Sequence, residues 1–314
     1  MRFMNKRWLL ASLSVIALLI LALAGGLVIY INSPAFEEQA RRYITREIER
    51  RTGGTASLRT FDWDFWHQRF RLEDLTLRGL EAPEEAPLAH FERIDGGINV
   101  RTLLQRRIDL FEFRLLRPDF HVLVGHDGKT NIPSPESQAE QKPFNFQVSI
   151  EHFIITGGSA LLNERRVAID FSIRNLAGVL NYQAAREVLE THIRYDGVFD
   201  RSSEAKPSIP YTFSADMDYT RATLVAQRIV VSSGKSDVKL QGRINQVLSS
   251  DISGKLEYTG TVEVPFLNYF FTEEMFAGKT EVAGNLEFSR GYFLTRGKTA
   301  SNAVDFEGWH ATKF

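Results

Sequence analysis

Hydrophobic and polar positions along the chain fall into three regimes. The first is unbroken: Trp8–Ile31, WLLASLSVIALLILALAGGLVIYI, runs 24 residues without a charged side chain. A hydrocarbon core about 30 Å thick is spanned by roughly 20 apolar residues at 1.5 Å rise, and a helix satisfies its own backbone hydrogen bonds there. The pattern therefore predicts a transmembrane helix over residues 8–31, preceded by a short tail, residues 1–7. A cleavable signal peptide competes with it, since Ala22, Ala24, Gly25 and Gly26 supply small residues near the end of the run. The second regime has helical spacing: Phe36, Ala40, Tyr43, Ile44 and Ile48 share one face, with arginines and glutamates opposite. Ser33 and Pro34 read as N-cap and first position, and Gly53 with Gly54 as the stop, which predicts an amphipathic helix over residues 33–52. Its apolar stripe can face a neighbouring domain or lie on a membrane with its arginines at anionic headgroups.

The third regime is alternation, from Thr55 to the end. A template with apolar residues at positions 1, 3, 6 and 8 fits Phe70, Leu72, Leu75 and Leu77. It fits again at Ile108, Leu110, Phe113 and Leu115, and at Val148, Ile150, Phe153 and Ile155, at separations of 38 and 40 residues. Weaker copies lie at Phe171–Ala177 and Leu224–Val231. Such recurrence suggests a repeated supersecondary unit. Successive strand side chains face opposite sides, so the step between positions 3 and 6 either moves the apolar set across the sheet or is absorbed by a bulge. Polar, proline-rich stretches at Glu81–Pro87, Asn131–Pro143 and Asp200–Pro210 read as exposed connections. Short helices are expected at Thr102–Arg106 and at Pro265–Phe276, where Phe266, Phe270 and Phe271 share a face. Lys279–Phe314 returns to short strands and stops in mid-alternation, from which we expect a longer chain.

Charge orients this plan. Arg2, Lys6 and Arg7 crowd the N-terminal tail, which favours a cytoplasmic N-terminus, although Arg41, Arg42, Arg46, Arg50 and Arg51 follow the apolar run closely. A formal net charge of −1 gives no basic excess for nucleic acid. Without cysteine there is no disulfide framework, thiolate metal site or cysteine nucleophile.

Candidate chemistry is sparse. GHDGKT at Gly125–Thr130 lacks the first glycine of a phosphate loop, Leu123 standing there, and reads as a turn with Asp127 and Gly128 at its tip. GGSA at Gly157–Ala160 lacks the second glycine of a nucleophile elbow and reads as a strand-end turn. His121 and His126 have no HExxH or cysteine partner, and Glu73 with Asp74 has no second catalytic member at recognisable spacing. We therefore expect no enzyme, no cofactor and no metal.

What remains is apolar surface on alternating strands, with too few helices to cover it. Such a sheet can bury its faces as a self-filled β-sandwich, or curl into a trough that something hydrocarbon-like must fill. Taken in order, the span, the helix ending in RTGG, the strand FRLEDLTLRGL, the segment AHFERIDGGINVRTLLQRRIDLFEFRLLRPDF and the turn GHDGKTNIP resemble the N-terminal portion of the AsmA-like superfamily, the TamB and YhdP types included. The resemblance covers about Trp8 to Pro133; beyond it only strand texture such as KLQGRINQV continues. It implies a mainly β fold. An N-terminal transmembrane helix and an amphipathic helix would precede an elongated, curved, antiparallel-rich sheet, β-taco-like, over residues 55–314. It also implies a single-pass bacterial inner-membrane protein whose periplasmic groove holds phospholipid acyl chains and serves transfer to, and biogenesis of, the outer membrane. The alternative it carries is a TamB-like translocation and assembly scaffold or tether working with an outer-membrane insertase. The 314 residues are fewer than in most members, and no TamB-type C-terminal domain is expected within them. From alternation within the repeat we expect Phe70, Leu72, Ile108, Leu110, Phe144, Phe146, Val148 and Ile150 to line the groove.

Overall fold

The structure, a computed structural model, describes residues 25–26, 28–103, 105–135, 147–166, 169–201, 208–247, 249–263, 276–290, 292–306 and 309–312. The expected span Trp8–Ile31 lies outside these residues except for Gly25, Gly26 and Val28–Ile31, which are helical. Among the described residues no helix is long and apolar enough to cross a membrane.

Helix α1, Pro34–Thr52, begins at Ser33, whose hydroxyl accepts from the Phe36 amide at 3.4 Å, and ends at Gly53 in the left-handed region at φ 75°. A glycine there satisfies the last carbonyls without a Cβ penalty. The chain then turns directly into β1 (Thr55–Asp64), β2 (Arg69–Arg78), β3 (Ala89–Ile98) and β4 (Arg107–Val124), consecutive antiparallel neighbours. The one-turn helix α2, Val100–Leu103, joins β3 to β4, just before the expected Thr102–Arg106.

After β4 the chain doubles back. It crosses one end of the sheet through Gly125–Pro135, forming β5 (Gln147–Ile150) and β6 (His152–Glu164), both parallel to β4. Asn131, only 3 % exposed, holds the crossing segment: its Oδ1 accepts from Leu123 N at 2.9 Å, and its Nδ2 donates to His121 O at 2.8 Å. Its own carbonyl accepts from Leu80 N at 2.8 Å.

The remaining strands form one antiparallel meander. They are β7 (Ile169–Gln183), β8 (Val188–Arg201), β9 (Ile209–Thr220), β10 (Thr223–Ser233), β11 (Ser236–Asn245), β12 (Ser253–Glu263), β13 (Phe276–Ser289), β14 (Tyr292–Phe306) and β15 (Trp309–Thr312). The result is a mainly β molecule: a single 15-stranded mixed sheet whose first and last strands do not meet. The C-terminal region is thus two long strands and one short one, rather than several short ones.

The structure decides what happens at the step in the repeated template. In each copy a local irregularity absorbs it, so that the apolar template positions stay on one face. Asp74 in β2 and Asn175 in β7 take φ of 51° and 53°. Register shifts occur opposite β4 between Gly97 and Ile98, and in β10 between Ala226 and Arg228. Between β5 and β6 the strand breaks at Glu151. The parallel pairing also explains one spacing: every paired position of β4 with β5 or β6 differs by 40 residues, so one template copy lies in register on the next.

Other expectations shift. GGSA sits inside β6, not at a strand end; Gly157, at φ 66°, is a bulge. GHDGKT is a turn, with Gly128 at φ 79° donating to Gly125 O at 2.9 Å. The helix expected at Pro265–Phe276 lies outside the described residues apart from Phe276, which begins β13.

Candidate functional site

Cross-strand register assembles the candidate site. Residues opposite each other in a ladder share a face, so pairings can be followed strand by strand. One row runs Phe61, Leu72, Ile94, Leu115, Ile155, Gly178, Ile193, Ala215, Ile229, Leu240, Tyr258 and Gly284, from β1 to β13. A second, beside it, runs Trp63, Phe70, Gly96, Phe113, Phe153, Leu180, Thr191, Met217, Ala226, Gly242, Leu256 and Leu286. Neither row contains a charged residue.

The opposite face is charged in the same register. Arg71 pairs with Asp95 at 2.7 Å, His192 and Arg228 both reach Asp216, at 2.5 and 3.2 Å, and Lys255 meets Glu287 at 2.9 Å. These side chains are well exposed, and such pairs contribute about 0–1 kcal/mol each. Their consequence is orientation: a one-residue slip would exchange the two faces.

A helix covers the first part of the apolar face. Leu58, Leu72, Leu75, Ile94 and Leu115 form a buried cluster, against which Ile44 and Ile48 of α1 pack together with Phe61, Phe70, Phe91, Phe113, Phe153 and Ile155. Tyr43, placed by spacing on the same stripe, is instead 64 % exposed. The helix also seals the backbone edge of β1. Glu49 Oε1 accepts from Ala56 N at 3.0 Å, Arg41 Nη1 donates to Leu58 O at 3.0 Å, and Glu37 Oε1 accepts from Trp63 N at 3.4 Å. An unpaired edge is a template for foreign strands, and these contacts occupy it. From β7 onward no described helix packs on the apolar face, and the side chains of its rows are half-buried or, at Ala215, Ala226 and Leu256, buried among those of the sheet itself.

Aromatic rings lie low on that face. Phe70 covers Gly96, Tyr211 covers Gly197 and Phe288 covers Gly254, each opposite its glycine in the ladder, where an added Cβ would collide with the ring. Tyr195 stacks on Phe213 with ring centroids 4.8 Å apart. Burial, with Tyr211 nearby, pushes the Tyr195 hydroxyl up to about 12, so it stays uncharged at neutral pH.

The residues expected to line a groove distribute as follows. Phe70 and Leu72 belong to the cluster beneath α1. Ile108 and Leu110 pair in register with Val148 and Ile150, at the far end of β4. Phe144 and Phe146 lie outside the described residues, as does the side chain of Val148. Sequence reading placed Ile229 in a weaker template copy, Leu224–Val231, but missed the continuation through Ile193, Phe213 and Leu286. Alternation was visible in YTFSADM and DVKLQGRI, but no shared template connected those strands to the earlier ones.

Two open depressions, of about 520 and 480 Å³, lie over β7–β10 and β11–β14, with Arg174, Asp196 and Thr212 in one lining and Arg243, Lys255 and Glu287 in the other. Among the described residues no group of three or more His, Asp or Glu side chains is placed to hold a metal ion. Comparison of the chain with protein-family models gives no match, and comparison with curated proteins gives none either.

Proposed function

We propose that the chain is a membrane-anchored, lipid-binding groove protein of AsmA-like type. Its sheet curls lengthwise so that the apolar face encloses phospholipid acyl chains, and it carries them from the inner membrane towards the outer membrane of a bacterial envelope. The observation that supports this reading is the pair of uncharged rows crossing one open sheet, with no helix among the described residues packed on them beyond β6. A sandwich would bury such rows against another sheet. Hydrocarbon is the fitting substitute, since each CH₂ removed from water contributes about 0.8 kcal/mol. Strand twist and repeated bulges favour curling, and rings lying flat over glycines leave depth for a chain. Trp8–Ile31 is the anchor in this reading, with the basic tail Arg2, Lys6 and Arg7 on the cytoplasmic side and the sheet in the periplasm.

Mass spectrometry of the full chain after gentle extraction tests the proposal. Phospholipid should accompany the folded protein and be lost in the Ile193→Glu/Ile229→Glu variant, while Thr259→Glu, on the charged face, retains it. A folded wild-type chain without phospholipid, or an undiminished load in the double variant, overturns the groove and leaves a tether or assembly scaffold as the better reading.

A further inference from the structure

We infer that the corner of the sheet formed by the β1–β2 turn and α2 seats in the headgroup layer of an anionic lipid bilayer, with Trp66 as its interfacial anchor. This rests on the reading of Trp8–Ile31 as a membrane span, and names the surface against which that span holds the domain.

The bonds of Glu49 to Ala56 and Glu37 to Trp63 show that α1 runs antiparallel to β1, its N-terminus beside the end of the strand. From Glu37 back to Ser33 is about 6 Å of helix, and from Trp63 forward to Trp66 at most about 10 Å of chain. The β1–β2 turn therefore reaches the level at which the apolar run ends. There Trp66 is 73 % exposed, with Phe65 edge-on at 5.5 Å. Tyr30, at the end of the apolar run, is also exposed. Tryptophan and tyrosine collect at membrane interfaces, where an apolar ring with a polar N–H or O–H suits both phases.

Gln68 ties the second element to this corner: its carbonyl accepts from Ile98 N at 2.9 Å and its side chain from Val100 N at 3.2 Å. From there α2 and the turn after it present Leu103, Arg101 and Arg106 to solvent. Neither arginine side chain has an ion-pair or hydrogen-bond partner among the described residues. The nearest acid of the turn, Asp64, is already paired with His67 at 2.6 Å. Unpaired cations beside an exposed tryptophan match an anionic headgroup layer. The other end of the same strands has the opposite character: the β2–β3 connection carries Glu81, Glu84 and Glu85, and its exposed Leu80 lies among those carboxylates.

The chain has no cysteine, so single labelling sites can be introduced. The full chain would carry a fluorophore at His67→Cys, at Glu84→Cys or at Ser14→Cys, in vesicles containing headgroup spin-labelled lipid, with or without phosphatidylglycerol. Quenching at position 67 should exceed that at 84 by at least about twofold in the anionic vesicles. It should fall when Trp66→Ser or Arg101→Glu/Arg106→Glu is added, or when phosphatidylglycerol is omitted. Equal quenching at 67 and 84, with label at 14 protected within the bilayer, overturns the docked corner and leaves the span intact. Label at 14 exposed to water instead overturns the span, and the docked corner with it.

Discussion

Gly96, Gly197 and Gly254 each stand opposite a ring that lies across the strand rather than upright on it. A Cβ at Gly96 would lie 2.1 Å from the Phe70 ring and force it to move, whereas one at Gly178 would sit 3.6 Å from Ile193 Cγ1, an ordinary contact. Gly96→Ala should therefore destabilise the fold by about 1–3 kcal/mol in urea unfolding. Gly178→Ala should be neutral or stabilising by up to about 1 kcal/mol, because it restricts only the unfolded chain. Equal effects would mean that the ring over Gly96 is free to move away. These glycines were not legible in advance. A glycine in an alternating strand announces a bulge or a close approach, but its opposite residue depends on register, which many intervening residues decide. Asp74, at positive φ with β2 still in register on both sides, and Asn175, at a bulge, were half legible: the template showed that the apolar set must be carried past a step there, not that the backbone would pass into positive φ.

Helix α1 shows the same division. Its ends could be read from Ser33, Pro34 and Gly53, because capping is local chemistry. Its docking could be read only as a choice between domain and membrane. Ile44 and Ile48 settle on the sheet, and the polar side chains Glu37, Arg41 and Glu49 turn out to serve the bare backbone edge of β1. The helix also carries its own pH dependence. Hydrogen bonds from Arg41, then Arg42, hold the Glu38 carboxyl down at about 2. Bonds from Arg50, then Arg51, lower Glu47 in the same way. A carboxylate whose folded value is depressed stabilises the folded state fully above its ordinary value, and loses that contribution as pH falls towards the depressed one. Amide-exchange protection across Pro34–Thr52 should thus decline between pH about 4.5 and about 2, relative to β11, and Glu38→Gln should flatten the decline. Protection that is constant through that window would show that these exposed pairs do not hold the helix. The reversal between β4 and β6 was the least legible element. The period of 40 residues was visible, but a period does not say whether the copies meet parallel or pass each other, and only the crossing held by Asn131 makes them meet.

Across the sheet, the twelve strands that the two rows cross, from β1 to β13, at a spacing of about 4.8 Å, give the apolar face a length on the order of 50 Å. That length separates a conduit from a simple binding site. In a simple site, a charge at one strand affects lipid bound at that strand alone. In a conduit, a charge midway also empties everything beyond it, because a headgroup-bearing chain must pass the desolvated carboxylate. Ile229 of β10 lies between Ile193 of β8 and Leu286 of β13 on the two rows. With a photo-crosslinking residue at position 193 or 286, and phospholipid supplied from vesicles into which the full chain is reconstituted, both positions should form lipid adducts in the otherwise unaltered chain if the proposed conduit operates. Adding Ile229→Glu should leave the adduct at 193 and reduce that at 286 by about tenfold or more, a barrier of only about 1.4 kcal/mol, well within the cost of burying a charge. Loss at both positions would indicate a damaged sheet. Retention at both would mean that lipid reaches β13 directly from solution, and the face would then be a row of independent sites with no traffic along it.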